Sequence, residues 1–406
     1  MKKGHLLFLV LLALYFGVLV VKIYTNCNIY QWDFKTHYYA AEVAEAGLNF
    51  YDRPLLRRFA RSPVQQYYSY PPFSIWFYRI FSLFNFRTGY TLFLLIKCLM
   101  LGGLVILWQK TFLPARGRVL FFAFLLFAFN GALVVDFTSG NISLLEQFLL
   151  WWAFFFFLKR KPLPFCTLVL LASTFKIIPL FFLVLLPLSS MKRKYLYFLG
   201  TSAVWGLLQG ISYLMDPMLF GEFLKIFRGM VKEWRGITNP STYVFLNNIA
   251  AGLREATGIT LPPIMLPVVF GIVVSIILKI SWDAYRRLRS LPEAQRNRLL
   301  IFLVCLVYAL ILPRFKDYSY TLLLVPAFYC LIELASQKGP VFFFILMLLT
   351  IPGHANPPGF EAVSRFLWDF YPLFLAYLIW GLVLNEIFQK SGSRPLTQSR
   401  RSSRRR

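Results

Sequence analysis

The chain has 406 residues, 58% of them hydrophobic, and its mean hydropathy of +0.61 with many long apolar runs excludes a water-soluble globular core. Basic residues outnumber acidic ones 43 to 17, a balance that in a soluble protein would suggest a nucleic-acid partner. The densest basic clusters flank apolar runs instead, as in membrane proteins whose positive loops face the cytoplasm, so we expect contacts with anionic headgroups and no nucleic acid.

Long apolar runs predict the membrane spans, because roughly 17 to 25 residues cross a bilayer. The candidate spans are residues 5–24, 90–109, 118–137, 142–158, 163–190, 195–215, 263–281, 299–312, 318–336, 340–352 and 366–388. The run 163–190 lies between two basic clusters, so we expect two short helices that go out and return, broken near Lys176 and Pro179. The sequence therefore predicts an all-α polytopic membrane protein of about 12 crossings, with both termini cytoplasmic.

This topology gathers the long loops 25–89 and 216–262 on the outer face. We expect them to form the active-site face of a single transmembrane domain, residues 1–388, followed by a disordered basic cytoplasmic tail, residues 389–406. Within the first loop, residues 71–86 begin with two prolines and are rich in aromatic side chains, which favour the membrane interface. We expect this segment to be an interfacial helix that does not span.

The first outer loop contains the segment QWDFKTHYYAAEVAEAG, residues 31–47. Asp33 and His37 are four residues apart and so share one face of a predicted helix that Gly47 can end. Asp33 either caps this helix or serves as a general base at the outer leaflet. His37 is a candidate substrate contact beside it.

Cationic side chains at the outer face are candidates for binding phosphate. The segment RFKDY, residues 314–318, separates two apolar runs and carries Arg314, Lys316 and Asp317. It is either a polar turn or a functional site, since ionisable residues at membrane depth mark function by default, and Arg and Lys both bind phosphate. Lys176 either extends toward the interface or points from the broken hairpin into a cavity.

Three further polar residues lie in outer loops. Asn141 follows Gly140 in a short turn and either caps the next helix or contacts substrate, Asn239 in NPSTYVFLNN can contribute an amide to a sugar, and His354 is a lone loop histidine. The chain has no nucleotide-binding glycine motif, no hydrolase motif, and no D-x-D pair or other metal-ligand spacing. We therefore expect no metal and no cofactor.

Several short motifs occur together in order: DFKTHYYAAEVAEAGLNFYD, YSYPPFSIW, GNISLL, STFKIIP, NPSTYVFLNN and PRFKDYSYTLLLVP. In this order they resemble glycosyltransferase family 87, multi-spanning enzymes of the GT-C fold, over roughly residues 5–335. The D-x-x-x-x-Y-A-A block with the Y-x-Y-P-P motif that contains Tyr70 is the most specific part of the resemblance.

The resemblance implies a lipid-linked donor, a polyprenyl-phosphate sugar and typically mannose. It implies that Asp33 deprotonates an acceptor hydroxyl in an inverting transfer, with Lys176, Arg314 and Lys316 as candidates for the donor phosphate. His37, Tyr70, Asn141, Asn239, Asp317 and His354 are candidate substrate contacts. The sequence departs from the family at 315–318, where a histidine role does not carry over, and at Asn141, where the family often has Gly-Gln.

The function predicted is hexosyl transfer to a lipid or glycan hydroxyl at the outer face of the cell membrane. One alternative is a flippase or transporter for a lipid-linked sugar, which needs the same cavity and cations. The chain concentrates charge on one side and has no visible internal repeat, features that do not favour a transporter. A second alternative is an assembly partner of another glycosylation enzyme, in which Asp33 is a helix cap only.

Overall fold

The computed structural model describes residues 3–27, 29–61, 64, 66–114, 117–230, 235–335, 339, 345–346, 349–350 and 361–392. Throughout these residues the regular structure is helical, as predicted. The helices are α1 Lys3–Thr25, α2 Trp32–Glu45, α3 Arg53–Ala60, α4 Ile75–Ser82, α5 Phe86–Leu107, α6 Arg118–Ser139, α7 Ser143–Leu158, α8 Pro162–Phe175, α9 Leu185–Leu188, α10 Lys194–Met215, α11 Pro217–Met230, α12 Thr242–Thr257, α13 Met265–Leu288, α14 Glu293–Ile311, α15 Leu324–Ala335, α16 Glu361–Asp369 and α17 Tyr371–Gly392.

Six helical segments of the described chain are long and apolar enough to cross a membrane. They are Leu6–Thr25, Phe86–Phe112, Val119–Ser139, Met265–Leu288, Glu293–Ile311 and Tyr371–Ser391. The predicted spans 142–158 and 163–190 form shorter apolar helices, and much of the predicted span 340–352 lies outside the described residues. The chain is thus a helical membrane protein, and the prediction of about 12 crossings stays a prediction.

The segment 163–190 is broken where the sequence predicted. Helix α8 ends at Phe175, Lys176 has an extended backbone with φ −136 and ψ 131, and a 3₁₀ helix follows from Ile178 to Val184. The 3₁₀ helix packs back against α8. At this break the Lys176 side chain points toward α7, where its amine pairs with Glu146.

The helix within segment 71–86 is too short to span a membrane, as the sequence predicted. The segment forms a 3₁₀ turn, Pro72–Ser74, and the eight-residue helix α4, which at 1.5 Å per residue is about 12 Å long and cannot cross a bilayer core of about 30 Å. Helix α4 packs on α2, and Phe34 of α2 fills the space between them and α5, stacked on Phe93 at 4.6 Å and edge-on to Phe81 at 5.6 Å. Ala40 and Ala41 are fully buried in the same layer.

Helix α6 departs from the uninterrupted span predicted for residues 118–137. Its backbone leaves helical geometry from Ala128 to Gly131, with left-handed φ angles of 52, 60 and 70 at the last three residues. The 3₁₀ helix Asp317–Leu323 packs against α6, and Tyr320 stacks on Phe129. A broken helix at membrane depth requires such burial in protein, and Ala128 and Phe129 are buried.

The two ends of the helical bundle differ in chemistry. At one end the basic turn after α7 meets the start of α14 through the Arg160–Glu293 ion pair of 3.3 Å, and Ser190 beside the second basic cluster also bonds to Glu293. From this end α7, α8 and α14 extend to the opposite end, where the segments around Asn141, Lys176 and Arg314 lie. The predicted site is therefore at the end of the bundle opposite these two basic clusters.

The last described helix extends beyond the predicted end of the transmembrane domain at residue 388. Helix α17 continues to Gly392, four residues into the segment predicted as a disordered tail. The remainder of that segment, 393–406, lies outside the described residues. The prediction for the tail therefore applies only to residues that the structure does not describe.

Candidate active site

The first turn of α2 is attached to the end of α6, and this contact brings Asp33 to the site. The backbone N–H of Gln31 donates to the Thr138 carbonyl at 2.6 Å. Gly140 ends α6 with a left-handed φ of 68 and lies against Gln31, where a Cβ at Gly140 would be 2.7 Å from the Gln31 Cβ. Only glycine fits this close approach and this backbone conformation, so the turn after α6 lies directly beside α2.

Asp33 lies in the first turn of α2, where the helix dipole favours a negative charge, but it is not the N-cap residue. The N-cap is Gln31, whose side chain makes no capping hydrogen bond. The carboxylate of Asp33 is 3% exposed, and its Oδ2 accepts a hydrogen bond of 2.6 Å from the Asn141 amide. Its Oδ1 has no hydrogen-bond partner among the described residues, so one carboxylate oxygen remains available to a ligand.

Burial is the main influence on the protonation of Asp33. Desolvation raises the pKa of this carboxyl to about 6, against the opposing effects of the Asn141 hydrogen bond and of Lys316, Lys176 and Lys97. Burial disfavours the charged form, whereas donors and cations favour it. A carboxylate with a pKa near neutrality is suited to accept a proton, because the ideal pKa of a general base lies near the working pH.

Asn141 links Asp33 to the cation Lys176. Its amide nitrogen donates to Asp33 and to the Tyr70 hydroxyl at 3.3 Å, while its amide oxygen accepts from the Ser143 N–H at 3.0 Å. Lys176 approaches the same oxygen at 3.5 Å. Asn141 therefore both supports the start of α7 and contacts the predicted base.

The Lys176 side chain is largely buried and its amine is directed at α7. Its amine donates to Ser143 Oγ at 2.5 Å and forms an ion pair of 2.8 Å with Glu146, whose side chain is 7% exposed. The ring of Tyr318 lies 5.4 Å from the amine. Glu146 was not identified from the sequence, although its single charge inside an apolar helix is the kind of signal that marks function.

Six of the ten candidate residues line one cavity with about 70 Å³ of space for water. They are Asp33, His37, Tyr70, Asn141, Lys176 and Arg314. Phe223 and Phe227 of α11 also line it, so the wall combines polar, cationic and aromatic side chains.

Lys316 lies in an adjoining groove. This groove shares Arg314 with the cavity and is also lined by Lys225 and Arg235. The cavity and groove together present cations beside a buried carboxylate, an arrangement that can hold a phosphate close to a base.

His37 occupies an aromatic enclosure at the cavity wall. Its ring lies 4.7 Å from the Tyr70 ring and 4.6 Å from the Tyr78 ring, and the Tyr68 ring meets it edge-on. Neither ring nitrogen has a hydrogen-bond partner among the described residues. Burial, followed by the nearby charge of Lys176, lowers the pKa of His37 to about 3, so the imidazole is neutral.

The remaining candidates are located elsewhere. Asn239 is buried, and its Oδ1 accepts the backbone N–H of Phe315 at 2.8 Å, so it fixes the loop that carries Arg314 and Lys316. The carboxylate of Asp317 accepts the N–H of Tyr318 at 2.8 Å at the start of the 3₁₀ helix. His354 lies outside the described residues.

The part of the chain that the structure describes contains no cluster of three or more His, Cys, Asp or Glu side chains that could hold a metal ion. Among the described residues that line the cavity, Asp33 is the one carboxylate and the other polar side chains are cations, amides, hydroxyls and rings, a donor set unlike that of a divalent metal site. Independence from metals and cofactors stays a prediction.

Comparison with known proteins connects the chain to an enzyme family. The sequence profile described as glycosyltransferase family 87 matches residues 68–313, which is more than half of the chain. The matched range includes Tyr70, Asn141 and Lys176, begins after Asp33 and ends before Arg314. No curated protein and no solved structure shows significant similarity to the chain. The chain belongs to glycosyltransferase family 87.

Proposed function

We propose that this glycosyltransferase moves a hexose, with mannose the first candidate, from a polyprenyl-phosphate donor to a hydroxyl of a lipid or glycan acceptor, with inversion at the sugar carbon. Family membership supports transfer and favours an enzyme over the flippase and assembly-partner alternatives. The donor and the sugar come from the resemblance of the motifs. The single observation that carries the mechanism is that the buried Asp33 carboxylate lies in a cavity that also contains cations. One of its oxygens has no hydrogen-bond partner among the described residues.

Asp33 acts as the general base. In an inverting transfer the acceptor oxygen attacks the sugar carbon as its O–H proton moves to Asp33, and the bond from the sugar carbon to the phosphate oxygen breaks on the opposite side. The pKa of about 6 leaves the carboxylate mostly ionised at neutral pH and still able to hold a proton in the transition state.

Cations stabilise the leaving group. The polyprenyl phosphate gains negative charge as the bond breaks, and preorganised positive groups in a poorly solvated site lower the energy of that state. Lys176 and Arg314 line the cavity that contains Asp33, and Lys316 lies in the adjoining groove. Lys176 is held by Glu146 and Ser143, so its position is fixed before the donor binds and less ordering is needed on binding.

The reaction takes place at the outer face of the cell membrane in this proposal. The turns that carry Arg160 and Ser190, which adjoin the basic clusters, meet at the end of the bundle opposite Asp33. Positive loops favour the cytoplasmic side, so the cavity faces outward. A lipid-linked donor can then stay in the leaflet while its sugar enters the cavity, and the fold is of GT-C type with α4 at the interface.

Transfer of a labelled sugar tests this function. Purified protein in lipid is incubated with radiolabelled polyprenyl-phosphate mannose in which the sugar is β-linked and with a membrane lipid extract, and wild type is compared with Asp33→Asn. We expect label to move from the donor into an α-linked product with wild type, and a rate lower by about 10²- to 10⁴-fold for the variant, the usual contribution of a general base. The matched change Asp283→Asn, at an exposed position of α13, should leave the rate unchanged.

Each outcome has a direct interpretation. Full activity of Asp33→Asn would rule out Asp33 as the base, and a β-linked product from a β-linked donor would rule out inversion. If wild type consumed no mannose donor with any extract, but did transfer another polyprenyl-linked hexose, mannose would be wrong and the mechanism would stand.

A further inference from the structure

An ion pair that does not itself line the cavity lies behind the candidate base. Lys97 of α5 and Asp136 of α6 are 2% and 1% exposed. The Lys97 amine forms a short ion pair with one carboxylate oxygen of Asp136 and also donates to the backbone carbonyls of Asp136 at 2.6 Å and Asn141 at 3.0 Å. Neither side chain lines the cavity that contains Asp33.

The pair holds both sides of the turn that carries Asn141. While Lys97 binds the Asn141 carbonyl, the second carboxylate oxygen of Asp136 accepts the backbone N–H of Leu144 at 3.1 Å. The Asn141 backbone is therefore fixed from the α5 side and from the α6 side, and its amide is directed at Asp33 Oδ2. The three acceptors of the Lys97 amine are a carboxylate oxygen of Asp136 and the backbone carbonyls of Asp136 and Asn141. They account for all three protons of the ammonium group.

Stability alone does not explain such a pair. Burying two charges costs about as much as their attraction returns, and apolar replacements are often neutral or stabilising. Ionisable residues inside membrane segments are rare for the same reason and are kept mainly where they have a function.

We propose that Lys97 and Asp136 are positioning residues of the transfer reaction, which fix the Asn141 turn so that its amide donates to Asp33. This inference rests on the proposed role of Asp33 as base. Loss of Lys97 frees the Asn141 carbonyl and lets the turn shift, so Asp33 loses the hydrogen-bond donor that favours its charged form. Small displacements of this kind cost catalytic rate without removing any contact to the substrate.

The groups that act on Asp33 define the measurement. From other elements the charges of Lys316, Lys176 and Lys97 favour its ionised form. Arg314 and the neutral rings of His37, Tyr70 and Tyr318 line the same cavity. Loss of Lys97 removes a distant charge as well as the turn contact, and both changes act in the same direction. The acid limb of the pH–rate profile, where the rate falls as Asp33 becomes protonated, reports the combined effect of both changes.

The test compares three full-length variants in lipid with wild type. For Lys97→Met we expect kcat to fall by about 10- to 100-fold, the KM for the donor to stay within about threefold, and the acid limb to move to higher pH by about one unit. Asp136→Asn should also lower kcat, because Lys97 loses the carboxylate that holds it beside the turn, but its acid limb should move less, since removal of a negative charge favours ionisation of Asp33. The control Arg160→Gln, which removes the ion pair with Glu293 at the opposite end, should change none of the three quantities.

A double variant, Lys97→Met with Asp136→Asn, addresses misfolding, because it leaves no lone buried charge. It keeps an oxygen for the Leu144 N–H and still lacks the donor to Asn141, so the upward shift of the limb should persist. If any folded variant that lacks Lys97 has an unchanged acid limb and an unchanged kcat, the proposal is overturned. It is also overturned if both Lys97 variants fail to fold, because the pair would then be structural. If wild type itself transfers no sugar, the proposed function fails; if wild type is active and Asp33→Asn is not, an unaffected Lys97→Met refutes the positioning role alone.

Discussion

The side-chain amide of Asn141 donates a hydrogen bond of 2.6 Å to Asp33, which lies 108 positions earlier in the chain. The oxygen of the same amide lies 3.5 Å from the Lys176 amine. One neutral side chain therefore lies between the candidate base and Lys176, a candidate phosphate ligand, and contacts both. Removing it should alter the ionisation of Asp33 and the environment of Lys176 together.

The pH dependence of transfer should follow the ionisation of Asp33. Burial raises the pKa of this carboxyl to about 6, and a general base must be deprotonated. We expect kcat/KM to be constant above about pH 7 and to fall about tenfold per pH unit below about pH 6. Initial rates at limiting donor measure this limb, and a profile that stays flat to about pH 4.5 would contradict the assignment.

Replacement of Asn141 should move that limb upward. Its hydrogen bond favours the charged form of Asp33, so Asn141→Ala should shift the acid limb to higher pH by about one unit and lower kcat at neutral pH. Asn141→Asp should shift it further, because a second carboxylate disfavours ionisation of the first. Asn385→Ala, at an exposed position of α17, is the matched control, and an unchanged limb in both Asn141 variants would show that this bond does not act on the base.

Lys176 and Glu146 should affect donor binding in opposite ways. The Lys176 amine is paired with Glu146 at 2.8 Å, and a donor phosphate must compete with that carboxylate. Lys176→Met should raise the donor KM by about 10- to 100-fold, the loss of one charge-assisted hydrogen bond. Glu146→Gln should bind the donor at least as tightly as wild type, since it removes the competing charge while the glutamine oxygen and Ser143 still hold the Lys176 amine.

Binding of a non-hydrolysable polyprenyl phosphonate to the purified protein measures these affinities separately from chemistry. The exposed Lys279 of α13 provides the control Lys279→Met, which should bind as wild type does. Equal affinities for Lys176→Met and wild type would show that Lys176 does not contact the phosphate.

The sequence predicted which elements form the site better than it predicted how they are joined. Apolar runs and basic clusters gave the helices and the break at Lys176, because hydropathy and charge are local properties. The role of Asn239 was missed, since a contact to the Phe315 backbone across 76 positions depends on how two loops meet. Lys97, Asp136 and Glu146 each had a local signal, a charge in an apolar run, but only packing shows that they hold the Asn141 and Lys176 side of the cavity.

His37 should contribute without a protonation step. Burial lowers its pKa to about 3, so it is neutral at every pH at which Asp33 titrates. Its ring nitrogens have no hydrogen-bond partner among the described residues and are available to a substrate hydroxyl. His37→Phe keeps the ring packing against Tyr70 and Tyr78 and should lower kcat/KM by about tenfold or more, with the acid limb unmoved. A shift of the limb in this variant would show instead that His37 acts through Asp33, and full activity would show that it contacts no substrate.

Gly140 should be required for the close packing of α6 on α2. A side chain there would meet Gln31 at 2.7 Å from its Cβ and 2.9 Å from its Cα, and the backbone has φ +68, which costs about 1 to 2 kcal/mol for a non-glycine residue. Because the clash is with backbone, Gly140→Ala cannot be relieved by a side-chain rotation and must separate Asn141 from Asp33. We expect a lower thermal midpoint in lipid or detergent together with loss of transfer. The control is Gly102→Ala in α5, where the alanine Cβ would meet no atom within 4 Å apart from its own helix. This variant should be as stable as wild type or more so, because alanine favours helix. Equal thermal midpoints and equal transfer rates of the two variants would show that the turn tolerates a wider spacing.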